Sequence, residues 1–401
     1  MGVEVTSLSL AVSLYGALYA LCSFIWGYLA DRKGIRLTFT FAALGAGIGF
    51  FALGLCASSS LSVIIIYACV GAVVSGVSSA VLPKMVSAWF ATNWRGKAFA
   101  VVSFGGTFTT MIVGIVGPVL TLSIGWRGSF MVFGVMDMAI ALVIFLVCRN
   151  SPASMGLLPF GYKADAEGQK TEAQKSRQIK ETGESPSKRH FIRRILAMPV
   201  TYKLGLIFIL WQMYFMAHQA YKSAAILTSG FDLAVAGGVT SIMTGVGIVS
   251  LAIWPPLSDK FARKNVLGAV MFGQGITYMM FFFILPVGSV PLLFAWAALV
   301  GIFFGTNPML QTMMAECYPV EMRGTGPGVV STLATVGRFF GPILAGGVIS
   351  LCGGAIPSYF FFGGGALCLA GISALLLLPK TSGKYGDPLA LDSGDVVNAK
   401  A

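Results

Sequence analysis

Apolar residues in this chain are not spaced two apart, as in an exposed strand, nor confined to one helical face. They come in blocks of about 20, the length an α-helix needs to cross the hydrocarbon core of a bilayer. Blocks near 8–30, 37–57, 61–83, 98–121, 128–148, 202–223, 234–256, 265–285, 291–313, 327–350 and 355–379 predict eleven transmembrane helices. Most breaks between them are short. The exception runs from Arg149 to Thr201 and is polar and mixed in charge between Ala164 and Arg189, the composition of a flexible linker. Its end, Arg189 to Leu196, mixes basic and bulky apolar residues and is expected to lie along an anionic membrane face. The pattern predicts an all-α polytopic membrane protein with helical bundles at 1–148 and 202–379, a linker at 149–201 and a polar tail at 380–401.

Composition agrees, because 56% hydrophobic and 10% charged residues cannot be arranged as a soluble globule with a polar surface. A net charge of +12 would suit a nucleic-acid partner, but the basic residues sit in the breaks between spans, as the positive-inside rule places them. The sorting pivots on the stretch Gly27-Tyr28-Leu29-Ala30-Asp31-Arg32-Lys33-Gly34-Ile35-Arg36, read as a charged turn. With that turn cytoplasmic, 24 of the 27 Lys and Arg residues fall on its side or at its edge, and only Arg127, Lys222 and Arg338 do not. Linker and tail are then cytoplasmic too, in what is expected to be the plasma (inner) membrane. Seven cysteines without C-x-x-C spacing and only two histidines argue against a disulfide framework or a metal centre, so no cofactor is expected. The N-terminus has neither the basic stretch nor the small-residue cleavage site of a signal peptide.

An internal repeat organises the spans. Asp259 in Pro255–Lys264 lies 228 residues after Asp31, and Arg323-Gly324 lies 228 after Arg95-Gly96. Gly117-Pro118 recurs as Gly341-Pro342, with the offset reduced to 224. Two homologous halves follow, as in repeat-built transporters. On this register the mate of span 202–223 would precede residue 1, so one helix of the first half is expected to be missing from the chain.

With these features the chain resembles the major facilitator superfamily of secondary transporters, in which two pseudo-symmetric six-helix bundles flank a central substrate site. Gly27, Asp31, Arg32, Gly34 and Arg36 match that family's G-x-x-x-D-R-x-G-x-[RK] loop, and Glu316 through Arg323-Gly324 is similar to its E-x-x-P-x-x-x-R-G loop. The resemblance implies that the eleven spans are family helices two to twelve. It also implies a gate or latch on the cytoplasmic side built from Gly27, Asp31, Arg32, Gly34, Arg36, Arg95, Asp259, Arg263, Glu316 and Arg323. The first half keeps Arg95 and Gly96 but has Ala88 and Ala91 in place of the Glu and Pro, so this latch is expected to be asymmetric.

Charges inside spans are the candidate chemistry, since each costs at least ~2.5 kcal/mol at the bilayer centre unless it meets a cavity or a partner. Arg338 is the foremost, because its planar fork pairs with a carboxylate or phosphate. The alternative is an arginine that caps carbonyls loosened by Gly337, Gly341 and Pro342. Tyr214, His218, Tyr221 and Lys222 share a helix face at i, i+4, i+7 and i+8. On the family's pattern that face lines the cavity, where Lys222 would add positive charge and His218 could respond to protons. Alternatively Lys222 snorkels outward and His218 is a packing residue. Asp137 is read as structural.

The segments Gly125–Phe130 and Cys148–Pro159 are similar to those of carboxylate permeases of the oxalate/formate, monocarboxylate and anion:cation symporter groups. Together with Arg338 and Lys222 they imply a small organic anion as partner, with protons as a further one, moved by symport or exchange by a monomer in the lipid bilayer. Efflux of a drug-like amphipath and a non-transporting sensor remain the alternatives. No enzyme is indicated, as there is no Ser-His-Asp, Walker or H-E-x-x-H arrangement.

Overall fold

The computed structural model describes residues 5–90, 92–161, 188–318 and 325–379, which are almost wholly helical. Helices α1 (Val5–Lys33) and α2 (Ile35–Cys56) are followed by α3 (Ser60–Ser75), which continues through a π-helical turn, Gly76–Val81, into α4 (Leu82–Trp89). Pro83, with no N–H to donate, sits where the helix type changes. Helix α5 (Thr92–Val147) breaks at Gly125, whose φ of 74° suits glycine, and so has two arms. After the short α6 (Lys188–Ala197) come α7 (Pro199–Thr228), α8 (Leu233–Lys260) and α9 (Arg263–Ile284). The expected span 291–313 is two helices, α10 (Val290–Ile302) and α11 (Thr306–Glu316), before α12 (Thr325–Leu351) and α13 (Ile356–Leu377) close the chain.

Among the described residues, nine helical stretches are long and apolar enough to cross a membrane. One of them, the 47-residue stretch Val101–Val147, supplies two spans by turning at Gly125, and α3 with its continuation supplies one more. Each of the eleven expected spans therefore has a helical counterpart.

At several glycines the missing Cβ lets backbones approach closely, which is how helices gain contact in lipid without a hydrophobic driving force. Gly47 of α2 lies on Gly134 in the second arm of α5, and Gly275 of α9, 228 residues after Gly47, lies on Gly364 of α13. The repeat read from charged loops thus reappears in the packing of apolar helices. In the C-terminal half, Gly205, Gly337 and Gly341 bring α7 and α12 together in steps of four residues, so that a Cβ on Gly337 or Gly341 would run into the carbonyl of Ile209 or Met213.

Among the described residues, the first half has no such pair. At the offset of 224, Gly117 corresponds to Gly341 and Val113 to Gly337, yet Gly117 meets only its own helix and Val113 is exposed. The groove that α7 fills on α12 is open on the first arm of α5. The buried core is correspondingly lopsided and runs from Ile195 to Leu378.

Two seams join the halves. In one, Gly114 on α5 approaches Gly237 on α8, and Ser241 donates across it to the carbonyl of Met111 at 2.9 Å. In the other, α1 lies against α12, with Gly16 on Arg338.

Leucine at Gly341 is expected to destabilise the protein by about 1–3 kcal/mol, as overpacked cores do, whereas alanine at Gly365, which faces open space, leaves stability unchanged or raises it. Thermal unfolding of the purified variants in detergent measures both.

Candidate substrate site and gate

Arg338 lies at the middle of α12 with its stem against α1, where the missing side chain of Gly16 makes room for Cγ and Cδ. Its guanidinium carbon sits 4.6 Å from the centroid of the Tyr19 ring, a cation–π contact. Tyr15, one turn away on α1, stacks on Tyr67 of α3 at 4.9 Å and on Tyr19 at 6.3 Å. Among the described residues the Arg338 guanidinium has no hydrogen bond and no carboxylate partner. Among the described residues, a positive charge is therefore held in mid-span, between the halves, on the face of the Tyr19 ring. Ser13, one turn before Gly16, is fully buried and its hydroxyl has no partner, although its repeat mate Ser241 bonds across the other seam. Sequence reasoning picked out Arg338 but missed Tyr15, Tyr19 and Tyr67. Their signal, aromatic residues at i and i+4 on α1, is indistinguishable in sequence from a packing stripe.

Tyr214, His218, Tyr221 and Lys222 do share one face of α7, and all four are buried. The structure brings that face together with α9 and α13. The Tyr214 ring lies 4.5 Å from Tyr278 and 5.9 Å from Tyr359, while His218 lies 4.6 Å from Tyr278 and meets Phe360 edge-on. His218 Nδ1 is 3.5 Å from the Tyr214 hydroxyl, and its Nε2 is buried without a partner. Lys222 is 2% exposed, with no carboxylate in ion-pair range among the described residues. Of the four, Tyr221 hydrogen-bonds to α12, donating to the carbonyl of Pro342 at 3.4 Å, one turn beyond Arg338.

At the basic end of the bundle, the expected ten-residue turn shrinks to Gly34, because α1 stays helical through Lys33. Gly34 has φ 85°, a positive angle that glycine adopts without a Cβ penalty. Next to it, the N–H of Arg36 donates to Asn150 Oδ1 at 2.9 Å, and Arg36 Nε donates to the carbonyl of Phe145 at 2.8 Å. Lys264, 228 residues after Arg36, does the same for α13, donating to the Leu375 carbonyl at 3.0 Å. Each cation neutralises the negative end of a helix. Arg32 covers the ring of Tyr28 at 4.8 Å, and Gly27 faces open space.

The adjacent pair breaks the symmetry. Arg263 grips Glu316 with two hydrogen bonds, of 2.8 and 2.7 Å, and its third nitrogen donates to Ser258 at 2.8 Å. The repeat mates of Arg263 and Glu316 are Ile35 and Ala88, and these pack together with Ala30, Val81 and Met85. One half closes this corner with an ion pair, the other with apolar contact. The side chains of Asp31, Arg95 and Asp259, and the whole of Arg323, lie outside the described residues. Beyond Glu316, Tyr318 donates to Thr201 at 2.9 Å, tying α11 to the start of α7. Burial, with the Glu316 carboxylate beside it, pushes the Cys317 thiol up to about 12.

Residues 1–287 and 220–396 match the family model described as Major Facilitator Superfamily. The chain is 24% identical over 384 residues to "Membrane sensor protein UhpC" of Salmonella typhimurium, covering 93% of this chain and 83% of that protein. It is 24% identical over 397 residues to "Probable sulfoacetate transporter SauU" of Cupriavidus necator, covering 94% and 86%. Among solved structures, the inward-open xylose transporter XylE from E. coli superposes with a TM-score of 0.71 at 17% identity, over 97% of this chain and 91% of that one, which is a likeness of fold.

Removing one partner of the half-buried Arg263–Glu316 pair, as in Arg263→Gln, is expected to cost about 3 kcal/mol. The double change Arg263→Ile with Glu316→Ala, which copies the other half, is expected to recover more than half of that in a thermal double-mutant cycle. A thiol near 12 is almost wholly protonated at pH 7, so Cys317 should resist maleimide under conditions that label exposed Cys352. Its rate should rise about tenfold per pH unit over the alkaline range, as the thiolate fraction does. Mass spectrometry of labelled peptides reads both.

Proposed function

The chain belongs to the Major Facilitator Superfamily, and on that premise we propose that it is a secondary active transporter of a small organic anion, a mono- or dicarboxylate, working by alternating access. The observation that carries this reading is Arg338, a mid-span guanidinium at the meeting of the two halves with no carboxylate among the described residues to neutralise it. A charge so placed disfavours cations and leaves both donor edges for a carboxylate, in surroundings where the bond is stronger than in water. Similarity to a protein named as a sulfoacetate transporter supports the same ligand class.

In this reading the halves rock about the Arg338 level, with the α1–α12 and α5–α8 seams as the moving surfaces. The Arg263–Glu316 pair and the helix-end contacts of Arg36 and Lys264 are the elements that close at the basic, cytoplasmic end, together with Gly27, Asp31, Arg32, Gly34, Arg95, Asp259 and Arg323. Tyr214, Tyr221 and Lys222 line or support the site from α7. His218 is the proposed proton-responsive group, so His218→Gln should flatten the pH dependence of uptake. Proton symport and anion exchange both fit this arrangement.

The sensor reading is favoured by one observation, similarity to a protein named as a membrane sensor. The two differ in whether bound anion crosses the membrane. In proteoliposomes, labelled formate, oxalate or succinate is expected to show saturable counterflow, and ethidium is expected not to be exported. Arg338→Gln should lower that counterflow about 100-fold and Arg338→Lys less, since loss of a desolvated charge-assisted bond costs about 2–5 kcal/mol. Saturable binding without counterflow would establish the sensor reading, and ethidium export alone would refute the anion.

A further inference from the structure

We propose that Tyr19 is an internal stand-in for the substrate: its ring face stabilises the Arg338 charge in the empty carrier, is displaced when an anion binds, and so lets the unloaded protein reorient. This inference rests on the anion reading of Arg338 and adds a residue to it. It also assigns to the α1–α12 seam a function in the return half of the cycle.

Three observations carry it. The guanidinium lies over the Tyr19 face at 4.6 Å and has no hydrogen bond or ion pair among the described residues, so the ring is the partner the structure gives it. Gly16, one turn from Tyr19, leaves no side chain between α1 and the stem of Arg338, so the arginine lies along α1 toward that ring. Tyr15 stacks on both Tyr19 and Tyr67, so a Tyr19 ring that moves has an aromatic surface to move against.

The physical logic is an exchange of partners. A carrier that rocks between its two faces passes through a state in which the central site is sealed from water on both sides. A bare guanidinium in that state is penalised. When substrate is bound, its carboxylate neutralises the charge with ionic hydrogen bonds, which outcompete a ring face. When the site is empty, the ring takes that place less strongly, and passage through the sealed state remains accessible. Tyr19 belongs to the first half and Arg338 to the second, so the contact also holds the seam together while no substrate does.

Net uptake needs the empty carrier to return, while exchange of internal for external anion needs only the loaded one. The ratio of net uptake to exchange therefore isolates the step assigned to Tyr19. Proteoliposomes containing the full chain, Tyr19→Leu or Tyr19→Phe are compared with whichever of formate, oxalate and succinate gives the strongest counterflow. Tyr19→Leu is expected to lower the ratio by about tenfold, the scale of one desolvated cation–π contact, and Tyr19→Phe to keep it within about twofold. An unchanged ratio in Tyr19→Leu overturns the stand-in role while leaving the anion site in place. Equal loss of net uptake and exchange overturns it too and makes Tyr19 a substrate contact. No net uptake by the unsubstituted protein, with exchange present, refutes it as well. Absence of carboxylate exchange in the unsubstituted protein removes the anion reading and this inference together.

Discussion

Hydrocarbon offers no hydrogen bonds, and that absence governs this molecule at every scale. Backbone groups inside the bilayer must find partners within their own helix, so the spans are helical from end to end and depart from it only where special residues allow. Gly125, the π turn before Pro83 and the break at Phe303–Gly305 are such places. The same absence puts the side-chain charges of the spans under pressure. Arg338 answers it with a tyrosine ring, and Arg263 with the carboxylate of Glu316 nearer the basic end.

Glycine converts this constraint into architecture. With no apolar gain from leaving lipid, helices associate where their backbones can touch, and the matched contacts Gly47–Gly134 and Gly275–Gly364 show the pseudo-symmetry at that level. Departures from symmetry are equally informative. The groove that α12 offers to α7 is filled, while its counterpart on the first arm of α5 is open. Likewise Arg263–Glu316 in one half is Ile35–Ala88 in the other. Both members of the pair differ together, as they must, because a lone buried charge at either position would be costly. The same corner is therefore closed within each half by interactions of different strength and salt sensitivity.

The candidate site was partly legible in the sequence. Arg338 could be found because a charge in the middle of an apolar block is rare and expensive, so it stands out without any three-dimensional information. The α7 face could be found from helical periodicity, yet periodicity does not say which neighbour a face meets. In the structure it meets Tyr278, Tyr359 and Phe360, while the arginine meets Tyr19. The charged stretch at Gly27–Arg36 looked like a loop by polarity, but helix formation carried on to Lys33, because Asp, Arg and Lys end a helix less effectively than Gly34 does.

What the sequence determined by itself was whatever depends on local composition and repetition: the spans, the two halves at an offset of 228, the sidedness of charge as an expectation, and the isolated arginine. These follow from the cost of moving a residue from water to lipid, which is set residue by residue. Only the tertiary structure decided the partnerships. That Gly16 admits the stem of Arg338, that Tyr19 rather than an acid lies under its guanidinium, and that Ile35 and Ala88 replace an ion pair are relations between helices distant in the chain. They are fixed by which backbones can approach closely enough to touch.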